Sequence, residues 1–504
     1  MALLKHERPS GLKSGLSSIS GLAAPALIYL VVTPILVRCL GDARYGLLVI
    51  FLAIPAFLGN VDFGLGAGGV LSMGRSMETG DMRKAVRLHR ELITLFSLLG
   101  AVLAAALCLA APRVVGALGM LQAVDYPQAL VLVHLGAAAL LLSVLTASVS
   151  ILPRALEQFP KITLIQVLGK AVLWLGVTAL AFRGSGLIGI FAWVLAVEFL
   201  VLAAYVLWNA RLLPVLSWLP TLRFQEVRGL IGYSSHAFIA QLSSSFAYHM
   251  DKFLLAYFLG PASVAYYSVA VGSAGKILVL AGVMSAFVFP RAVGLNAAAA
   301  TDALRHLYLR ASRFTLLVLA PLLAPAVLLT PMLLRLWLGP QFAAKSAAPM
   351  QVLIIAYFLA SVSVVPSHIY NGKGNTRISA FYATIGTLMN VSLCLVLIPR
   401  FGIMGAAAAA LVGMAQSVVF MGSLENELGL GWFGGQGRLF GQLGLAALVQ
   451  LAVLSFARGW VQGWPSLVVV GSLGWGLFYA LWFLIPIATQ EDRAVCLRII
   501  RSQA

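Results

Sequence analysis

The sequence predicts an all-α polytopic membrane protein of about fourteen transmembrane helices. Three observations carry that class. Hydrophobic residues make up 61% of the 504 residues and charged residues 10%, against about 45–50% and 25% in soluble domains. Apolar runs of the ~20 residues needed to cross a bilayer recur along the whole chain rather than at one anchor. The Lys and Arg residues that remain gather in alternate connections. A soluble protein of this length could not cover its surface with so few charges.

The first candidate span, 16–40, follows basic residues as a signal peptide would. Its apolar run is too long for a signal sequence and leads directly into the next helix, so it reads as a span. The second, 46–72, contains Gly64-Leu65-Gly66-Ala67-Gly68-Gly69, which satisfies a dinucleotide-binding pattern but follows no strand. Glycines there read as close helix packing. Spans 91–112, 129–151, 162–182 and 186–208 complete a first set of six, the last two separated by a tight turn at Gly184. A second set runs 230–258, 264–289, 312–334, 349–370, 379–398 and 403–422, and two more spans follow at 439–457 and 466–488. The connections are too short to hold a folded extramembrane domain.

The chain carries 34 Lys and Arg against 16 Asp and Glu, a net charge of +18. In a membrane protein the first meaning of that excess is topological, since cytoplasmic loops collect Lys and Arg. Arg75, Arg83, Lys84, Arg87 and Arg90 crowd one connection, and Arg291, Arg305, Arg310 and Arg313 another. Arg113 and Arg183 stand alone in the connections of opposite parity. The bias places both termini in the cytoplasm. Cys39, Cys108, Cys394 and Cys496 form neither a zinc pattern nor a disulfide framework and read as small packing residues. No Walker lysine motif, no HExxH and no Ser-His-Asp grouping is present, so the sequence implies no cofactor, no metal site, no catalytic residue and no nucleic-acid partner.

An internal repeat organises the spans. Leu40-Gly41-Asp42-Ala43-Arg44-Tyr45 resembles Leu259-Gly260-Pro261-Ala262-Ser263-Val264, and Gly186-Leu187-Ile188-Gly189 resembles Gly402-Ile403-Met404-Gly405. The offsets agree within three residues, four helices apart. Each copy holds six spans, so both enter the membrane in the same direction, an arrangement of transporters with a substrate site between lobes. The expected organisation is a lobe at 1–215, a lobe at 225–425, two extra helices at 437–490 and a cytoplasmic tail at 491–504.

Polarity inside spans is costly and usually faces a cavity. The seventh span carries Gln241, Ser245, Tyr248 and Lys252 at i, i+4, i+7 and i+11, one stripe of a helix. The first span carries Ser17, Ser18, Ser20 and Thr33. Asp62, Glu198 and Asp251 could pair with Lys170, Lys252 or Lys276 in neighbouring spans. Glu198 and Lys170 read as close enough to helix ends to snorkel to the interface. Lys252, Lys276, Gln241, Ser245, Tyr248 and Arg38 are thus the candidate substrate-binding residues, because basic groups in a low-dielectric chamber attract an anion. Asp62, Asp251 and His249 are the candidate ion-coupling residues. Salt bridging and interhelical hydrogen bonding are the structural alternatives for all of them.

The runs Leu36-Val37-Arg38-Cys39-Leu40-Gly41, Tyr45-Gly46-Leu47 and Val61-Asp62-Phe63-Gly64-Leu65-Gly66 resemble the N-terminal signature of bacterial polysaccharide flippases of the Wzx type. Those proteins belong to the multidrug/oligosaccharidyl-lipid/polysaccharide exporter superfamily. Asp251-Lys252-Phe253-Leu254-Leu255 through Leu259-Gly260 to Ala265-Tyr266-Tyr267 is similar to the matching motif of the second lobe. The resemblance covers at least residues 15 to 425. It implies a V-shaped transporter of two parallel six-helix lobes in the bacterial inner membrane. Its implied substrate is undecaprenyl-pyrophosphate-linked oligosaccharide, with membrane lipids, a polysaccharide polymerase and chain-length proteins as partners. A count of fourteen spans rather than twelve leans toward the related lipid II flippases.

Two alternatives belong beside it. A drug or metabolite cation antiporter would share the fold but favour acidic cavity residues, which the intramembrane lysines oppose. A glycan polymerase or ligase would need a large periplasmic loop, and no connection is long enough, so the chain reads as a transporter and not an enzyme.

Overall fold

Inside a bilayer every backbone polar group must be satisfied by the chain itself, and the fold obeys that rule with helices alone. The computed structural model describes residues 28–58, 65–212, 220–221, 223–228, 231–298 and 300–484, and among them there is no strand. Contacts divide the chain into two compact units, Met1–Ala265 and Tyr266–Ala504.

The first unit contains α1 (Ile28–Leu40), α2 (Asp42–Leu58), α3 (Leu65–Glu78), α4 (Met82–Leu109), α5 (Ala111–Ala117), α6 (Tyr126–Val149), α7 (Ile151–Ala155), α8 (Phe159–Phe182), α9 (Leu187–Leu212), α10 (Gln225–Arg228) and α11 (Ile231–Leu259). α6 is its centre, packed against α2, α4 and α9. Leu88, Leu92 and Phe96 of α4 meet Leu140 and Val144 of α6 and Met73 of α3 in one buried cluster. Asn209 of α9 donates its amide to the Val149 carbonyl at 2.7 Å, satisfying the end of α6. α4 starts nine residues before its predicted span because hydropathy marks only the bilayer-crossing part. Its charged first turns project beyond it, capped by the Asp81 carboxylate, which accepts from Lys84 N at 2.9 Å. The Glu91 carboxylate accepts from Glu226 N and Val227 N at 2.9 and 3.0 Å, capping α10 and tying the 220–228 connection to α4.

α12 (Pro261–Ala274) crosses the border between the units. The second unit continues with α13 (Lys276–Ser285), α14 (Val288–Ala297), α15 (Thr301–Leu338), α16 (Pro340–Ser361), α17 (Val364–Gly372), α18 (Thr376–Phe401), α19 (Ile403–Glu427), α20 (Gly437–Ala457) and α21 (Trp464–Leu484). α15 is its mast: α16, α20 and α21 all pack on it. Its core gathers Tyr308, Tyr370, Phe420, Leu424, Phe478 and Trp482, with Tyr370 stacked on Phe420 at 5.4 Å. The buried Glu425 carboxylate accepts from the Tyr308 hydroxyl at 2.7 Å and from Gly435 N at 3.2 Å, and Lys373 pairs with Glu427 beside it.

α15 contains Pro321, Pro325 and Pro331. Each removes the N–H that would serve the carbonyl four residues earlier, stranding the carbonyls of Leu317, Pro321 and Val327. Each of the three receives a side-chain donor from a different helix. The Tyr479 hydroxyl of α21 donates to Leu317 O at 3.4 Å. The Gln450 amide of α20 donates to Pro321 O at 3.0 Å and also to Gly474 O at 2.7 Å. The Gln351 amide of α16 donates to Val327 O at 2.8 Å. The two C-terminal helices are thereby bonded into the second unit through polar side chains in otherwise apolar spans.

Eleven of the fourteen predicted spans stand as helices long and apolar enough to cross a membrane. The other three each have a reason. The first predicted span is described only from Ile28, so Ser17, Ser18 and Ser20 lie outside the described residues. The second is seen as α2 and α3, on either side of residues 59–64, which are outside the description. The seventh, α11, is long but made less apolar by its polar stripe.

The repeat is visible in the backbone. Gly41 and Gly260 both adopt positive φ, +75° and +84°, at the turns α1–α2 and α11–α12, where a side chain would be strained. α9 and α19 each begin directly after the first glycine of the matched motif, at Leu187 and Ile403. The two copies of the turn motif also touch. A Cβ on Gly46 would fall 1.8 Å from the Pro261 carbonyl oxygen, so only glycine permits that approach.

Candidate functional site

α11 packs on α2 and α3 of the first unit. Phe57 of α2 is the contact: its ring meets Phe246 at 5.1 Å, Phe253 at 5.6 Å and the His249 ring at 6.3 Å, three residues on one face of α11. That wedge fixes the rotation of α11 and settles which polar residues turn inward. Ser245, His249, Asp251 and Lys252 are buried, whereas Tyr248 is 53% exposed.

Lys252 is 7% exposed. Its Nζ donates to the Tyr248 carbonyl at 3.1 Å and lies 4.3 Å from the centre of the Tyr248 ring. The ammonium is thus folded back one turn onto its own helix, held by a carbonyl and a π face. Asp251 accepts from Lys252 N at 2.9 Å through Oδ1, so the carboxylate bends toward the same turn. His249 sits edge-on between the rings of Tyr248, at 5.0 Å, and Phe57. Two turns of one helix therefore hold a cation, an anion, an imidazole and a phenol, with the phenol covering the cation.

Among the described residues the charged neighbour of Lys252 is Asp251, on the same helix. Periodicity places residues on a face but cannot show a side chain curling back along the axis. The stripe itself is interrupted: Ser245 and Lys252 are buried and Tyr248 is exposed, and the Gln241 side chain lies outside the described residues. Asp62 lies outside them as well. Arg38 is exposed at the end of α1, and Lys276 is exposed as the first residue of α13, in the second unit.

One correction concerns Lys170 and Glu198. Lys170 occupies the middle of Phe159–Phe182 and Glu198 the middle of Leu187–Leu212. At 1.5 Å per residue each is at least roughly 16 Å from the nearer helix end, beyond the reach of a side chain. They do not snorkel; Lys170 is the charged neighbour of Glu198 across the α8–α9 contact. Counting inward from the span edges would have revealed this in the sequence.

Residues 35–347 match the family of polysaccharide biosynthesis proteins. The chain belongs to that family. Among relatives of this polysaccharide biosynthesis protein, a candidate O-antigen transporter of Shigella flexneri is 21% identical over 403 residues, spanning 79% of this chain and 93% of the relative. An uncharacterized membrane protein of Methanocaldococcus jannaschii is 26% identical over 204 residues, 40% of each chain; the chain thus spans well under two thirds of that relative. In fold, the chain is similar to the lipid II flippase MurJ in an inward closed conformation, with a TM-score of 0.74, 15% identity, and coverage of 94% of this chain and 100% of that one. It is also similar to an inward-facing multidrug transporter of the MATE family, with a TM-score of 0.65, 16% identity, and coverage of 82% and 98%. Both likenesses show the all-α polytopic fold expected from the sequence.

Proposed function

We propose that this polysaccharide biosynthesis protein is a flippase. It carries undecaprenyl-pyrophosphate-linked oligosaccharide from the cytoplasmic to the periplasmic leaflet by alternating access, coupled to an ion gradient, for cell-surface polysaccharide synthesis. The observation that carries this reading is the family match over residues 35–347, in a chain whose α11 keeps a buried ammonium among polar neighbours. The need is physical: a sugar chain cannot cross hydrocarbon unaided because its hydroxyls would lose their hydrogen bonds. The pyrophosphate is the fixed part of such substrates, and a basic side chain away from bulk water suits it. In this reading Lys252, Ser245, Tyr248, Gln241, Lys276 and Arg38 contact substrate, and Asp62, Asp251 and His249 serve the coupling ion. A polymerase and chain-length proteins act next on the flipped product.

The test is complementation. A strain lacking its own flippase should regain surface glycan when supplied with this gene, and should lose the lipid-linked oligosaccharide that accumulates on the cytoplasmic side. Gain of drug resistance without surface glycan would favour a cation antiporter of the same fold. The orientation is checked in the same strain with fusion reporters. Reporters at Gln503 and near Arg83 should be active only as cytoplasmic fusions, because Arg75, Arg83, Lys84, Arg87 and Arg90 share one connection. A periplasmic signal at either site would overturn the fourteen-span topology.

A further inference from the structure

The α8–α9 hairpin holds a charge pair at the depth where charge is most costly in a membrane. Three contacts fix its antiparallel register. The Lys161 ammonium lies 4.0 Å from the Trp208 ring centre. The Trp193 indole N–H donates to the Leu173 carbonyl at 3.3 Å. Gly169 leaves room for the Val201 side chain, which would lie 2.8 Å from an added Cβ. This register brings Lys170 level with Glu198, and Lys170 is the cation that Glu198 faces.

Leu164, Leu168 and Leu175 are exposed on one apolar side of α8, suited to lipid. Thr163, Gln166, Lys170, Trp174 and Thr178 share about one third of the helix circumference at 3.6 residues per turn, and the buried Val177 and Ala181 fall within the same third. Lys170 and Gln166 are exposed there. An ammonium exposed in mid-span needs polar surroundings, so Lys170 faces water or a polar occupant rather than acyl chains. The second copy has nothing equivalent. The repeat offset of 216 puts Gly386 and Met414 at these positions, and a Cβ on Gly386 would lie 2.7 Å from the Gly413 carbonyl oxygen. Tight glycine packing holds that hairpin, so the fold itself does not require the charges.

We propose, resting on the flippase reading, that Lys170 holds the phosphate anion of the lipid-linked substrate halfway through the membrane, and that Glu198 is the counter-ion exchanged for it. While no substrate is present Glu198 neutralises the ammonium. An arriving phosphate replaces the carboxylate, and the carboxylate reclaims the lysine when the substrate moves on. The pair makes a mid-span anion site without leaving a bare charge in the membrane.

Inorganic pyrophosphate binding to the full-length protein in nanodiscs, measured by calorimetry, separates anchor from brace. Lys170→Gln should weaken binding about tenfold or more, the loss expected of a hydrogen-bonded charge. Lys170→Arg should bind nearly as the wild type. Glu198→Gln should bind more tightly, because the competing carboxylate is gone. A purely structural ion pair predicts the opposite sign for Glu198→Gln, and weakening there would overturn the proposal, as would wild-type binding by Lys170→Gln. Nanodiscs with and without phosphatidylglycerol distinguish the source of the phosphate. Lys170-dependent competition by phosphatidylglycerol would assign the site to a phospholipid headgroup and overturn the substrate role. Glycan export in cells, scored alongside, keeps the two readings apart. Normal export and binding in Lys170→Gln sinks this site alone, whereas absent export by the wild type sinks the flippase reading.

Discussion

Replacing Lys252 with Ala should lower glycan export by about 10- to 100-fold while leaving the protein inserted in the membrane. The magnitude follows from losing a charge-assisted hydrogen bond, about 1.5–3 kcal/mol, at 1.4 kcal/mol per decade. Among the described residues the Lys252 ammonium spends one donor on the Tyr248 carbonyl and rests on the Tyr248 ring. An ammonium carries three donors, so it has capacity for an anion that displaces the tyrosine. Lys252→Arg should keep part of the activity, because it keeps the charge but changes the geometry. Tyr248→Leu should weaken export less, since it uncovers the cation without removing it. Export normalised to protein abundance decides the matter. A fall in abundance with unchanged export per molecule would make Lys252 a structural residue of α11.

The largest effect on stability should come from Gln450→Leu. That change strands Pro321 O, at about 1–3 kcal/mol for an unsatisfied buried group, and also removes the second bond, to Gly474 O, at about 1 kcal/mol. Gln351→Leu strands one, Val327 O, and Tyr479→Phe removes only the longer bond to Leu317 O. Melting temperatures in detergent should therefore fall in the order Gln450→Leu, Gln351→Leu, Tyr479→Phe, from largest loss to smallest. Pro325→Ala restores the backbone N–H that Pro321 O lacks, so the Pro325→Ala/Gln450→Leu double variant should recover part of the loss. Absence of that recovery would mean Gln450 acts by packing and not by serving the carbonyl.

The spans were legible because apolar length is a one-dimensional property. The repeat was legible because its turns demand glycine at Gly41 and Gly260, and a positive φ leaves few substitutes. Helix ends were less so: α15 begins at Thr301, eleven residues before its predicted span, since Arg305, His306 and Arg310 extend a helix that hydropathy trims. Breaks such as that between α12 and α13 at Gly275 were missed because both halves are apolar. In the candidate site, Lys252 and Asp251 stood out as charges within a span, but their setting did not. They are charged neighbours within a single turn, and the Phe57 wedge that orients their helix comes from a helix more than 180 residues away in sequence. The three stranded carbonyls of α15 could be read from its prolines, but not the donors, because Tyr479, Gln450 and Gln351 share no motif.

The most direct measurement of the central claim is translocation itself. The purified protein in proteoliposomes, given a fluorescent prenyl-pyrophosphate-linked oligosaccharide in one leaflet, should move the lipid to the other leaflet faster than empty vesicles do. An imposed ion gradient should raise that rate, and Lys252→Ala should return it to the background. Transfer indistinguishable from empty vesicles, with or without a gradient, in protein that retains its native melting temperature would contradict the account.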